Sequence, residues 1–161
     1  MPANMTVPCD RGIINIRVGA IILKDGKFLM AGNERDDYLY SVGGRLQFGE
    51  TAEEAVVREV EEETGWRLEV DRLGFAHENY FYGDVPGVND GKLVYEVSFY
   101  FYMKVPNDFE PRGESRTDDG RVREAMQWVS PDDPRTIYPE FYRTELANPV
   151  RTVKHILTDE R

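Results

Sequence analysis

Between Glu50 and Glu63 the chain places seven glutamates in fourteen positions. A run of like charge ordinarily solvates one face of a helix. Here the spacing asks for more than solvation. Thr51-Ala52-Glu53-Glu54 has the form of a capping box, and Gly65 suits the residue after a last helical turn, so the pattern predicts a helix over roughly 52–64. On such a helix Glu59, Glu62 and Glu63 stand at i, i+3 and i+4 and fall within an arc of about 100°. Ala52, Ala55, Val56 and Val60 lie on or beside the same arc, whereas Glu54, Arg58 and Glu61 point away from it. The three carboxylates therefore border the stripe that the helix must bury.

Carboxylates crowded at the margin of a core lose hydration and repel one another, which raises their pKa values or unfolds the turn unless positive charge compensates. Arg58 can reach Glu54 or Glu62 at i±4, but one guanidinium does not neutralise three anions. A divalent cation would. Donors that are all oxygen favour Mg²⁺, with Mn²⁺ as a substitute, over zinc, and Mg²⁺ is commonly shared between a few carboxylates and substrate phosphate oxygens. The expected substrate is then a phosphate ester or anhydride, attacked by a water that a glutamate deprotonates.

The stretch from Gly44 to Trp66, with Glu50, Arg58, Glu59, Val60, Glu62, Glu63 and Gly65 between them, resembles the Nudix box, G-x5-E-x7-R-E-U-x-E-E-x-G-U, where U is bulky and apolar. All nine defined positions over these 23 residues match, though Trp66 is aromatic where an aliphatic residue is common. The resemblance implies a loop-helix-loop that grips Mg²⁺ and a diphosphate. It assigns Glu59, Glu62 and Glu63 to the metal, with Glu59 also able to activate water and the Gly43 carbonyl as a further ligand. Glu50 and Arg58 become the pair that steadies the loop against the helix. The implied reaction is hydrolysis of a nucleoside diphosphate linked to another moiety, X, such as a dinucleoside polyphosphate, a nucleoside triphosphate or a sugar nucleotide. The alternatives are a nucleotide sensor that has lost hydrolysis, which usually lacks box glutamates, and an isomerase on the same fold. Val42 stands where many relatives have proline.

Outside the box the assignments are looser. Glu96 falls in an expected strand, where the resemblance implies a further acid for metal or water and where an outward-facing carboxylate is the ordinary alternative. Tyr82, sixteen residues beyond Trp66, occupies a place where relatives that cleave dinucleoside polyphosphates carry a tyrosine that can stack on a base; with Tyr80 and Phe81 it equally suits core packing. Arg17, Arg35 and Arg45 are candidates for phosphate recognition, or ordinary surface arginines.

These residues need a scaffold. Ile13 to Leu23 and Lys27 to Ala31 read as a hairpin turned at Asp25-Gly26, followed by a short extended piece over 39–42. Residues 68–82 and 93–105 read as two long antiparallel strands, 125–129 and 151–157 as shorter ones, and Pro139 as the first turn of a helix reaching about Ala147. Residues 1–11 form an N-terminal extension and 106–121 an exposed polar loop. The expectation is one domain over 161 residues, an α+β or α/β sandwich with a mixed central sheet flanked by helices.

Composition narrows the partners. Thirty acidic against twenty basic residues, a net charge of −10, oppose binding to a nucleic-acid backbone. The single cysteine, Cys9, excludes an internal disulfide framework and fits a reducing, cytoplasmic setting. No apolar run suggests a signal peptide or a membrane span. Gly87 to Lys92 is one residue too short for a P-loop, and His77 and His155 are isolated from the partners that a zinc site or a nucleophilic pair requires. A small nucleotide is the expected partner, and the resemblance admits a homodimer without naming its surface.

Overall fold

The β-branched run at the start of the chain is shaped by how many neighbours it must satisfy. In the computed structural model, which describes residues 3–112, 114–116 and 122–161, strand β2 (Gly12–Ile21) lies parallel to β7 (Leu93–Met103) from Gly12↔Leu93 to Ile21↔Tyr102. On its other side β2 pairs antiparallel with β5 (Tyr38–Arg45), from Arg17↔Arg45 to Ala20↔Val42. The expected turn at Asp25-Gly26 is present, both residues having positive φ (52° and 73°). It joins only the two-residue β3 (Leu23–Lys24) to β4 (Lys27–Asn33). The hairpin is thus shorter than the sequence suggests, because β2 is committed to β5 and β7 along its length.

Along the sheet the order is β11-β6-β7-β2-β5-β4-β9-β8, with β1, β3 and β10 attached to β2, β4 and β5. β6 (Val70–Tyr82) and β7 form the long antiparallel pair that the sequence predicts, with two register irregularities. β9 (Arg123–Val129) pairs antiparallel with β4 and with β8 (Glu114–Arg116). β10 (Thr136–Tyr138) runs parallel to β5, and β11 (Lys154–Asp159) parallel to β6. The sheet is mixed, as expected. No helix among the described residues is long and apolar enough to cross a membrane.

Period-two alternation in β2 divides the interior. Val18, Ala20 and Ile22 join Val42, Leu46 and the helix residues Ala55, Val56 and Val60 in one core. Ile21 joins Phe28, Leu39, Phe75, Tyr100 and Tyr142 in the other. Helix α1 (Ala52–Thr64) covers the first face. Its bounds match the expected 52–64: Thr51 accepts from the Glu54 N–H, Glu54 accepts from the Thr51 N–H, and Gly65 closes the helix at φ 77° with its N–H on the Glu61 carbonyl. Helix α2 (Tyr142–Glu145) covers part of the second face and is a single turn. The longer helix expected from Pro139 is replaced by tight turns, in which the Pro139 and Glu140 carbonyls accept from Tyr142 and Arg143, and these turns seat the Tyr142 ring 5.6 Å from Phe28.

Two stretches differ from their sequence reading. The supposed extension 1–11 contains β1 (Thr6–Cys9), paired with β2, and its Met5 N–H donates to the Leu46 carbonyl at 2.7 Å. Within 106–121, Phe109 is fully buried between Trp66 and Trp128, at ring distances of 5.5 and 6.1 Å, and the Arg112 N–H caps the Thr64 carbonyl at 2.7 Å. One aromatic residue turns a polar segment into a strap across the end of α1; residues 113 and 117–121 of that loop lie outside the described ones.

Phe109→Ala is therefore expected to cost about 3–5 kcal/mol of unfolding free energy, as for a buried aromatic ring. Urea denaturation reads this as a lower midpoint with an unchanged slope. A loss within about 0.5 kcal/mol, ordinary for surface positions, would return the segment to the status of an exposed loop.

Candidate active site

A close approach in this region lies between α1 and β5. A Cβ built on Gly44 would stand 2.5 Å from the Glu59 carboxyl carbon, so only glycine lets the helix carboxylate lie against the strand. Gly43 beside it has φ 148°, and a Cβ there would meet the Val18 carbonyl at 2.2 Å. Gly44 thus answers to the Glu59 side chain on α1, and Gly43 to its own φ and the backbone of β2. Glu59 is 8% exposed.

Arg58 does not stand apart from the carboxylates as its helical angle suggests. Its long side chain folds back, with Nη1 on Glu59 Oε1 at 2.7 Å and on Glu62 Oε2 at 3.4 Å. Nε and Nη2 grip Glu50 Oε1 at 3.1 and 2.9 Å, and Nη2 also donates to the Arg45 carbonyl at 3.3 Å. One guanidinium so joins the loop after β5 to the helix; burial works against its charge, and the hydrogen bonds to the Glu50 and Glu59 carboxylates outweigh burial and raise its pKa above the usual value. Glu54, the other partner considered for Arg58, is used instead by the helix cap.

Glu63 lies deeper. Its Oε1 accepts from the Gly43 N–H at 3.4 Å, and its Oε2 is sealed from solvent with no hydrogen-bond partner among the described residues. Burial, then the charges of Glu59 and Glu124, raise its pKa well above the usual 4.5. Glu62 is 59% exposed at the rim. These side chains open into a cleft of about 830 Å³, also lined by Arg17, Arg35 and Arg45.

The NUDIX domain model matches residues 14–148 of this chain. The chain belongs to the Nudix hydrolase family. Its members are enzymes of phosphoanhydride bonds. A MutT-like protein of Streptomyces ambofaciens is 30% identical over 131 residues, 81% of this chain and 72% of that protein. A solved UDP-X diphosphatase superposes with a TM-score of 0.58 at 18% identity over 88% of this chain; that match covers 66% of the diphosphatase, just under two thirds of its length. An ADP-ribose pyrophosphatase from Streptococcus suis gives 0.56 at 18% identity, over 89% of this chain and 98% of that one. A MutT Nudix hydrolase from Burkholderia pseudomallei gives 0.55 at 24% identity, over 83% and 95%. These structural likenesses are likenesses of fold.

Within this Nudix fold the residues singled out beyond the box separate. Arg17, Arg35 and Arg45 all reach the carboxylate cleft. Glu96 does not: it lines a neighbouring cleft and faces Arg17 at 3.9 Å. Its strand β7 lies beyond β2 from the helix-bearing β5, so its carboxylate is delivered to a different opening. Tyr82 lies outside both cores and does not line the carboxylate cleft; it is 56% exposed at the end of β6. The aromatic side chains at the site are Tyr38 and Tyr40, on β5.

Glu124 was missed. It is buried on β9, accepts from the Tyr40 hydroxyl at 2.5 Å, and its charge helps to raise the pKa of Glu63. The only sequence signal is an acid opening the strand expected at 125–129, and its placement depends on the Asn33↔Glu124 register between β4 and β9. Asn4 and Gln47, bridged to each other, also line the cleft, which brings the N-terminal segment to the site.

The donor set fits a hard divalent cation. Every candidate atom is oxygen, and a buried carboxylate oxygen is left without a partner beside a second carboxylate. As the side chains stand, no group of three acids, histidines or cysteines converges on one point among the described residues, and Arg58 draws Glu59 and Glu62 towards itself.

A carboxyl whose pKa is raised on folding binds its proton more tightly in the folded state. Its contribution to stability is present below about pH 4.5 and is lost as pH climbs towards the raised value. In EDTA, Glu63→Gln is expected to unfold at higher urea than the wild type near neutral pH, with the difference closing on acidification below 4.5. Parallel curves across that range would show that Glu63 carries no burial strain.

Proposed function

We propose that this Nudix hydrolase cleaves the phosphoanhydride of a nucleoside diphosphate linked to a second moiety, with the diphosphate in the cleft between α1 and β5. The observation that carries the reading is the buried, partnerless Glu63 oxygen beside Glu59, in a cleft that also gathers Arg17, Arg35 and Arg45. Acids and guanidinia interleaved in this way suit a ligand that brings both cation and phosphate.

When bound, Mg²⁺, or Mn²⁺ in its place, would be held by Glu59, Glu62 and Glu63 with the Gly43 carbonyl, and would supply charge neutralisation at phosphorus and a lowered pKa for water. The chain's own residues do the rest. The arginines orient the phosphates through parallel hydrogen bonds. Glu59, fixed by Arg58 at 2.7 Å, takes the proton from the attacking water. As the water oxygen bonds to phosphorus, the bridging P–O bond breaks and its electron pair leaves with the other phosphate. The products are a nucleotide and phosphorylated X. Glu50, through Arg58, holds the loop so that Gly43 and Gly44 keep their place against the helix. Dinucleoside polyphosphates, nucleoside triphosphates and sugar nucleotides all present the required linkage.

Glu59→Gln is expected to lower turnover by about 10² to 10⁴, the range for loss of a positioned base. EDTA should abolish hydrolysis and Mg²⁺ restore it. A panel of nucleotides assayed for phosphate and pyrophosphate release, with product masses, checks this. Unchanged turnover in Glu59→Gln on every accepted nucleotide would remove Glu59 from the chemistry, and binding without any hydrolysis would make the domain a sensor.

A further inference from the structure

The sheet ends at β11, which has a neighbouring strand on one side only among the described residues. β11 follows β6 without interruption from Lys154↔Phe75 to Asp159↔Tyr80. The Glu160 N–H donates to the Tyr80 carbonyl at 3.0 Å, and this sets the sense of the ladder. Alternate residues of a parallel strand direct their N–H and C=O to the same neighbour. Lys154, Ile156 and Thr158 therefore face β6 with their backbone groups, and His155, Leu157 and Asp159 turn theirs to the open edge. Such an edge is a template for another strand, and proteins ordinarily blunt it with proline, a bulge or a very short strand. β11 has six residues, no proline and no register break, and its Leu157 is 59% exposed. At the other end of the sheet, β8 has only three residues.

Charge along this segment is divided. Arg151, Lys154 and His155 precede Leu157, and Asp159 and Glu160 follow it. A parallel copy of the strand would set like charge against like, whereas an antiparallel copy sets the basic half against the acidic half. A two-fold axis normal to the sheet keeps opposed side chains on one face, so the numbers of two opposed residues must sum to an even value. Centred on Leu157, the axis opposes Leu157 to itself, His155 to Asp159 and Lys154 to Glu160. The residues that turn their backbone groups outward are then the ones that exchange N–H···O=C bonds. Centred on Ile156, it would oppose Lys154 to Thr158 and Asp159 to Val153, and the charges would go unmatched. Within one chain Lys154 already meets Glu145, His155 meets Glu78 and Asp159 meets Arg161, so these side chains are held in place before a second strand arrives.

We propose that a second copy of this chain pairs antiparallel along β11, in the register centred on Leu157, and joins the two sheets into one. Thr158 and Glu160 also line the cleft beside the carboxylate cleft, of about 570 Å³. The pairing brings Lys154 of each copy against Glu160 of the other, and so adds a cation at that opening. The proposal is independent of the reading of the carboxylate cleft.

Sedimentation of the full chain over a dilution series tests it. The expected result is a reversible species of twice the 18.6 kDa chain. Lys154→Glu and Glu160→Lys each turn two symmetry-related pairs from opposite to like charge, and each should weaken the dimer about tenfold. Combined in one chain they exchange the charges, and the dimer should return to near its wild-type strength. Leu157→Pro removes an N–H that points away from β6, so it should leave the far-ultraviolet circular dichroism unchanged and give a monomer at every concentration. A wild-type chain that stays monomeric, a dimer indifferent to Leu157→Pro, or a charge-exchanged chain that pairs no better than the single variants would overturn the proposal. The charge exchange decides the matter even where Leu157→Pro fails to fold.

Discussion

The arrangement depends on one close contact, the Glu59 carboxylate pressed against the backbone of Gly44. Packing Val56 and Val60 into the core brings α1 down onto β5, and a side chain at Gly44 would displace the Glu59 carboxylate. The cost is a charge taken out of water, which is tolerable only if something compensates it. Arg58 compensates in part, and in doing so it ties Glu50 and the loop after β5 to the helix. What remains uncompensated is concentrated on Glu63, whose inner oxygen has water and hydrogen-bond donors withheld from it. Local instability of this kind, maintained by a well-packed helix with both ends capped, is characteristic of functional sites.

How much of this could be read from the chain follows from the range of the interactions. The capping box, the glycine stop and the i, i+3, i+4 acids all act within a few residues, and α1 accordingly has the bounds that its sequence predicts. The two long strands are also legible, because their aromatic and β-branched runs are bounded by glycine and proline. Glu96 and Glu124 show where local reading ends. Both are strand glutamates, and which of them meets the box carboxylates depends on sheet order, with β9 brought beside β4 and β7 placed beyond β2. Phe109 fails for the opposite reason: a single apolar residue in a polar stretch has no periodicity to report, yet it decides that the stretch packs. Arg58 makes the expected contacts with Glu50 and Glu62 and also reaches Glu59, since a side chain of that length is not confined to the sector its helical position assigns.

The chain's net charge of −10 and the substrate class are compatible because the charge is unevenly used. Arg17, Arg35, Arg45 and Arg58 all face one opening, and they arrive there from β2, the turn after β4, the end of β5 and α1. Four separate elements deliver guanidinium groups to a cleft that also carries Glu59, Glu62, Glu63 and Glu124. Electrostatic recognition is therefore local, and the remaining acidic surface works against binding of extended polyanions.

The two clefts divide this chemistry along the sheet. Box residues, held by contacts local to the loop and helix, build the opening where phosphate and cation charges can be balanced. The second opening is built by residues from β5, β6, β7, β10 and β11, which pairing brings together and the box does not specify. A scaffold of this kind can keep its bond-breaking site while exchanging the residues of the second opening, because the two share only Arg17, Tyr38 and Tyr40. Those three residues line both openings, whereas Tyr138 and Glu96 line the second and not the first.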